Sequence, residues 1–166
     1  MKVQKMIGVM LLFFWMIIIF AYSAQPAAES SKLSGQVVTG LQEAGKSFSI
    51  LDRLLSWGRL EFLVRKTAHV MEYAVLGSLV LFNIENWFSY KKKRFYLLFS
   101  TGFCVIYAAS DELHQYFVPG RSCQIGDVLL DSFGAFLGVC ITFGILNYLK
   151  NHRKRTRKSF SWERVF

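Results

Sequence analysis

The apolar residues of this chain are gathered into long runs, and its charged residues into short blocks between them. A soluble domain of 166 residues would interleave the two kinds of residue; segregation of this sort in a chain that is 53% hydrophobic yet carries 20 Lys+Arg is the mark of membrane spans. Four runs stand out, at about 6–22, 68–88, 95–113 and 128–148. Each approaches the ~20 residues that a helix needs to cross ~30 Å of hydrocarbon. The second is interrupted by Glu72, Asn83, Glu85 and Asn86. The expectation is an all-α, polytopic membrane protein: a four-transmembrane-helix bundle.

The net charge of +9 raises the question of nucleic acid. The basic residues answer it, because they sit in flanks beside apolar runs, where they orient helices and touch anionic lipid. Membrane lipids are therefore expected partners and nucleic acid is not. Of the three cysteines, Cys104 and Cys140 fall inside apolar runs and only Cys123 lies between runs, which is no disulfide framework. Nothing in the pattern speaks to oligomeric state.

Lys2 and Lys5 precede the first run, Lys91, Lys92, Lys93 and Arg94 fill the short loop between the second and third, and a basic block from Lys150 to Lys158 follows the fourth. These blocks share one side, and most acidic residues fall on the other. The positive-inside rule then places both termini in the cytoplasm. A rival reading of the first run is a signal peptide, with Ala21 and Ser23 small enough for cleavage, but the run is longer than a usual h-region. Residues 1–24 are thus a first transmembrane helix, 25–65 an extracytoplasmic segment, 66–148 a three-helix core and 149–166 a basic cytoplasmic tail. Within 25–65, QPAAESSKLSGQ reads as polar and irregular. From Ser47 the spacing of Ile50, Leu51, Leu54, Leu55, Trp57, Leu60 and Phe62 predicts an outer amphipathic helix, lying in the interface or packed on the bundle.

Ionisable groups inside spans are costly and point to function. Three clusters fall at the outer ends of the runs. Lys66, His69 and Tyr73 follow i, i+3, i+7 and line one helix stripe, which Gly77 extends, with Glu72 displaced by a fraction of a turn. Asp111, Glu112, His114 and Gln115 crowd the end of the third run, with His114 read as a loop residue. Pro119-Gly120 then forms a turn that aims Arg121 back at the helix ends. Asp127 and Asp131 open the fourth run at i, i+4, and Gly134 and Gly138 continue that face as a small-xxx-small packing surface. The plain alternative is neutralisation: Lys66 against Glu112, or Arg121 against Asp127, with Glu85 an interfacial anchor. That reading suits Lys66, Asp111 and Asp127 taken alone. For His69, Glu112, Arg121 and Asp131 together, function is the better account, because so many titratable groups at one depth are expensive for packing alone.

Three motifs, Lys66-x-x-His69-x-x-x-Tyr73, Asp111-Glu112-x-x-Gln115-x-Phe117-x-Pro119-Gly120-Arg121 and Asp127-x-x-x-Asp131-x-x-Gly134, come in this order on successive spans. In this the sequence resembles the VanZ-like family of bacterial membrane proteins over about 60–148, where many members look to carry Asn in place of Asp131. The resemblance implies a bacterial cell membrane, and it implies a link to teicoplanin-type glycopeptide resistance or envelope physiology, without supplying an agreed reaction.

Three functions follow as expectations. One is recognition of an anionic lipid or lipid-linked cell-wall precursor headgroup by Lys66, His69, Tyr73, Glu112, Gln115, Arg121, Asp127 and Asp131, with the cations on phosphate. A second is a hydrolase or transferase acting on an outer-leaflet lipid, with His69 and Glu112 or Asp131 as acid/base candidates. Ser110 borders the cluster, but no nucleophile elbow is present. One histidine among scattered carboxylates is a weak metal signal, so neither a metal nor a cofactor is expected. The third, a channel, is disfavoured by the apolar inner halves of the runs.

Overall fold

The computed structural model describes residues 2–44, 57–88 and 93–162. Its described residues are all helical or irregular. Among the described residues there are five helices: α1 (Lys2–Ser23), α2 (Ala27–Ala44), α3 (Trp57–Trp87), α4 (Arg94–Gln115) and α5 (Ile125–Trp162). Three stretches of the described residues, Lys2–Ser23, Arg59–Trp87 and Ile125–Arg153, are long and apolar enough to cross a membrane. Helix α4 occupies the third expected span, but Ser100, Thr101, Ser110, Asp111 and Glu112 dilute its apolar character, and it is not among the three.

The helix directions follow from side-chain contacts. Asn83 on α3 donates to the Gly8 carbonyl of α1 at 3.0 Å, while Trp15 donates to the Glu72 carbonyl at 2.9 Å. Residue numbers rise on one helix as they fall on the other, so α1 and α3 are antiparallel. Tyr107 of α4 donates to the Met16 carbonyl at 2.8 Å and Ser23 donates to Asp111 at 2.7 Å, so α1 and α4 are parallel. Contacts from Lys66–Asp127 to Glu85–Lys150 make α3 and α5 parallel. Two helices thus run each way, side by side.

Their shared core is Ile19, Tyr73, Leu76, Val80, Cys104, Ala108 and Ala135, continued by Leu81, Tyr96 and Val139. The outer surface is apolar as well. Phe13, Phe14 and Ile17 on α1, Leu98, Phe99 and Ile106 on α4, and Leu129, Phe133 and Ile141 on α5 are all exposed. A surface of that kind is suited to lipid rather than water.

The tightest contact joins α3 to α5. A Cβ at Gly134 would stand 2.5 Å from the Val70 carbonyl oxygen, and at Gly77 and Gly138 it would come closer still to the carbonyls of Ala135 and Ala74. The small-xxx-small face expected on the fourth run therefore meets the α3 backbone directly, as does Gly77 from the other side. Ser78 adds bonds to the Ala74 carbonyl (2.8 Å) and the Gly138 carbonyl (3.2 Å).

Two expectations need correction. The segment read as irregular is helix α2 from Ala27 onward. Pro26 suits a helix start and its carbonyl accepts from Glu29 and Ser30. Ala27, Ala28, Glu29, Lys32 and Leu33 are good helix formers, and Ser34 and Val38 are buried one turn apart on one face. The polar composition signalled a partly wet helix rather than a loop. His114, read as a loop residue, is in the last turn of α4, stacked on Phe20 at 4.3 Å between ring centroids. The expected amphipathic helix lies outside the described residues up to position 56; from Trp57 its sequence is the start of α3.

Candidate functional site

The C-terminal ends of α1 and α4 and the N-terminal ends of α3 and α5 meet at one end of the bundle, beneath α2. The loop from α4 to α5 closes this end. Val118, Pro119, Gly120 and Arg121 form a turn in which the Arg121 N–H donates to the Val118 carbonyl at 3.1 Å. Gly120 takes φ 75° at the third position, the geometry of a type II turn and one that strains any L side chain. The turn is anchored on α2 by the Ala27 N–H donating to the Pro119 carbonyl, and on α4 by Glu112, whose Oε2 accepts from the Gln124 N–H at 3.0 Å.

Arg121 is consequently turned back over the helix ends, as its place after the Pro-Gly turn implies. Its Nη1 donates to Gln115 Oε1 (3.1 Å), its Nε to the Gln25 carbonyl (3.0 Å) and its Nη2 to the Tyr22 carbonyl (3.3 Å). Gln115 is itself held by Asp111, whose Oδ2 accepts from Gln115 Nε2 (3.1 Å) and from Ser23 (2.7 Å). Burial, and after it the charge of Arg65, pull the Arg121 guanidinium below its ordinary pKa. Removing α1 would strip the Ser23 hydroxyl and the Tyr22 carbonyl from this end.

Neither of the ion pairs weighed from the sequence forms. Lys66 pairs with Asp127 rather than Glu112, because α3 and α5 run parallel and bring their first turns together. Arg121 meets Gln115 and carbonyls rather than Asp127. His69 Nδ1 lies 3.4 Å from Asp131 Oδ1, close enough for ionic attraction but without hydrogen-bond alignment. Glu85 pairs with Lys150 at the far end of the same two helices.

Two adjoining cavities open at this end, of about 260 Å³ and about 160 Å³. Ser30, Arg65, His69 and Arg121 line both. Glu72, Ser34, Leu33, Val37 and Val64 belong to the larger, and Lys66, Asp127, Ser122 and Gln124 to the smaller. The eight expected site residues divide accordingly. Lys66, His69, Arg121 and Asp127 line the cavities, whereas Tyr73, Glu112, Gln115 and Asp131 are buried behind them.

The buried set is poorly satisfied. The Tyr73 hydroxyl, Glu112 Oε1, Asp111 Oδ1 and both Asp131 oxygens have no hydrogen-bond partner among the described residues. Among the described residues no group of three His, Cys, Asp or Glu side chains is placed to hold a metal ion.

The sequence pattern of the VanZ/LLP1 family matches residues 8–147, from the second turn of α1 into α5. The chain belongs to the VanZ/LLP1 family. No curated protein and no solved structure matches it. In this VanZ/LLP1 chain the family region takes in α1 and α2 as well as the three motif-bearing helices. Motif reasoning missed Arg65 and the serines of α2, and it set Glu72 off the stripe it took for the site. A second stripe, Arg65, His69 and Glu72 at i, i+4, i+7, carried the signal for two of them, and it is the stripe that faces the larger cavity. The serines carry no motif signal, since their role depends on α2 folding across α3.

Proposed function

We propose that this membrane protein recognises a phosphate-bearing lipid headgroup, of an anionic lipid or a lipid-linked cell-wall precursor, in the paired cavities. The observation that carries this reading is that Arg65, His69 and Arg121 line both cavities while Glu112, Asp111 and Asp131 are turned into the interior. Guanidinium forks match phosphate oxygens in geometry as well as charge. Gln115 fixes one fork, Asp131 stands beside His69, and Asp127 pairs with Lys66, so acids and amides hold the bases in place. The setting we infer is a bacterial cell membrane crossed four times, with both termini in the cytoplasm. Helix α4 lies along α1 and displays Leu98, Phe99 and Ile106 outward, as a lipid-facing helix does. Hiding a cell-wall precursor would link such recognition to teicoplanin-type resistance.

A second reading has one observation in its favour. His69 beside Asp131, at a cavity wall, is the pairing an acid/base hydrolase or transferase uses. Ser110, the nearest hydroxyl to the acidic cluster in sequence, is exposed and bonded to the Tyr107 carbonyl, which takes that residue out of the reading.

Mass spectrometry of gently purified protein tests both. A defined lipid is expected to accompany the native chain and to be lost from Arg121→Ala. Bulk lipid alone in both proteins would overturn recognition. A chemically altered lipid that disappears in His69→Gln or Glu112→Gln would replace it with catalysis.

A further inference from the structure

The larger cavity holds opposite charges that do not meet. Arg65, Arg121 and Glu72 all line it. Elsewhere in the described structure cations and acids that come near one another pair: Lys66 with Asp127, Lys150 with Glu85, and His69 with Asp131. Among the described residues Glu72 is in no ion pair. Neither arginine has a carboxylate partner among the described residues. Arg121 gives its bonds to one amide oxygen and two carbonyls, and Arg65 gives one long bond, 3.4 Å, to the Ser31 hydroxyl.

Flexible side chains of opposite charge sharing a half-buried space normally close on one another, because the attraction strengthens as water is excluded. Here Arg121 is committed elsewhere, tied by three bonds to α1, the α1–α2 link and α4. His69, one turn before Glu72, is directed to Asp131. The cavity these charges line is about 260 Å³, with Ser30 and Ser34 from α2 and the apolar Leu33, Val37, Val64 and Ala68 also lining it.

We infer that the headgroup bound here carries an ammonium as well as a phosphate: an amino-bearing phospholipid, with its phosphate between Arg65 and Arg121 and its amine on Glu72. The apolar side formed by Leu33, Val37, Val64 and Ala68 takes the start of the lipid's chains. A purely anionic headgroup would set its charge against Glu72 and leave that carboxylate unpaired, whereas an ammonium satisfies it with three donors. This rests on the phosphate part of the reading above and replaces the net-anionic headgroup named there with a zwitterionic one.

The test uses the full chain in nanodiscs. Phosphatidylethanolamine and phosphatidylglycerol, which share the phosphodiester and differ in the amine, are compared by native mass spectrometry, with water-soluble phosphoethanolamine as a competitor. The expected result is roughly tenfold tighter retention of phosphatidylethanolamine, equivalent to about 1.4 kcal/mol. That preference is lost in Glu72→Gln, while Arg121→Ala loses both lipids. Displacement by phosphoethanolamine alone would point to a soluble headgroup as the ligand, still with both charges. Arg121-dependent binding without preference for the amine would overturn this inference and leave phosphate recognition standing, as would a preference that survives in Glu72→Gln. Binding that ignores Arg121 altogether would overturn both. Circular dichroism and a melting curve for Glu72→Gln separate lost preference from lost fold.

Discussion

Two of the contacts that helix α3 makes, with α5 and with α2, are built in opposite ways. Against α5 it meets backbone to backbone, with Gly77, Gly134 and Gly138 each pressed on a carbonyl of the facing helix. Against α2 it meets side chain to side chain, across a seam that contains the larger cavity, and Gly35 and Gly40 of α2 face nothing within 4 Å of where a Cβ would be. In a membrane, association gains little from the hydrophobic effect and much from close packing, so the glycine seam is where the fold gains its stability. The open seam gives up that packing. Its wall holds Arg65, His69 and Glu72, and it is the side of α3 to which we assign headgroup binding.

The strongest way to break this contrast is to fill the tight seam. Gly138→Leu drives a branched side chain into the Ala74 carbonyl, and no flexible neighbour is there to move aside. Overpacking of this kind costs on the order of 3 kcal/mol, and more where only backbone is available to yield. The expected outcome is loss of the monodisperse peak in size-exclusion chromatography and a melting temperature far below that of the native chain. Unchanged melting would mean that α3 and α5 are not locked as described.

How much of this was legible in the sequence differs between the seams for a physical reason. Gly134 and Gly138 are four residues apart and Gly77 extends the Lys66, His69, Tyr73 stripe, so the tight contact is written in residues that have few other uses in a helix. The convergence of three clusters at one end was equally legible, because charge sets orientation and orientation sets depth. The pairings were not. Spacing tells which residues share a face of one helix; whether Lys66 meets Glu112 or Asp127 depends on how two helices rotate against each other. Helix α2 was hidden for a related reason. Ser30, Ser34 and Gly35 weaken an isolated helix, and the segment is ordered through tertiary contact at Ser34, Val38 and the Ser31–Arg65 bond. With α2 unread, neither the cavity wall nor the place of Arg65 could be inferred.

Filling the open seam should separate binding from stability. Ser34 is buried on the cavity wall, and its hydroxyl donates only to the Ser30 carbonyl within its own helix. Ser34→Leu loses a bond worth about 1 kcal/mol or less, and Leu is the better helix former. The added side chain occupies cavity space instead of striking backbone. Lipid retention in native mass spectrometry is expected to fall about tenfold, a loss of about 1.4 kcal/mol, with the melting temperature close to native. A large drop in melting with retention unchanged would reverse the assignment of the two seams.

The smallest expected effect is the most discriminating, because the same change of residue type should have opposite signs on the two sides of α3. Gly35 lies in the interior of α2, with helical φ and open space where a methyl group would go. Gly35→Ala restricts the unfolded chain and meets no neighbour, so it should stabilise α2 by about 0.5–1 kcal/mol. Gly134→Ala adds the same methyl group and must push back the Val70 carbonyl, so it should destabilise. Hydrogen exchange reads the two locally, with slower exchange expected at α2 amides in the first variant and faster exchange along α3 and α5 in the second. If both substitutions stabilise, the α3–α5 backbone has room to spare and the tight seam is looser than described. If both destabilise, the space around Gly35 is not open as described.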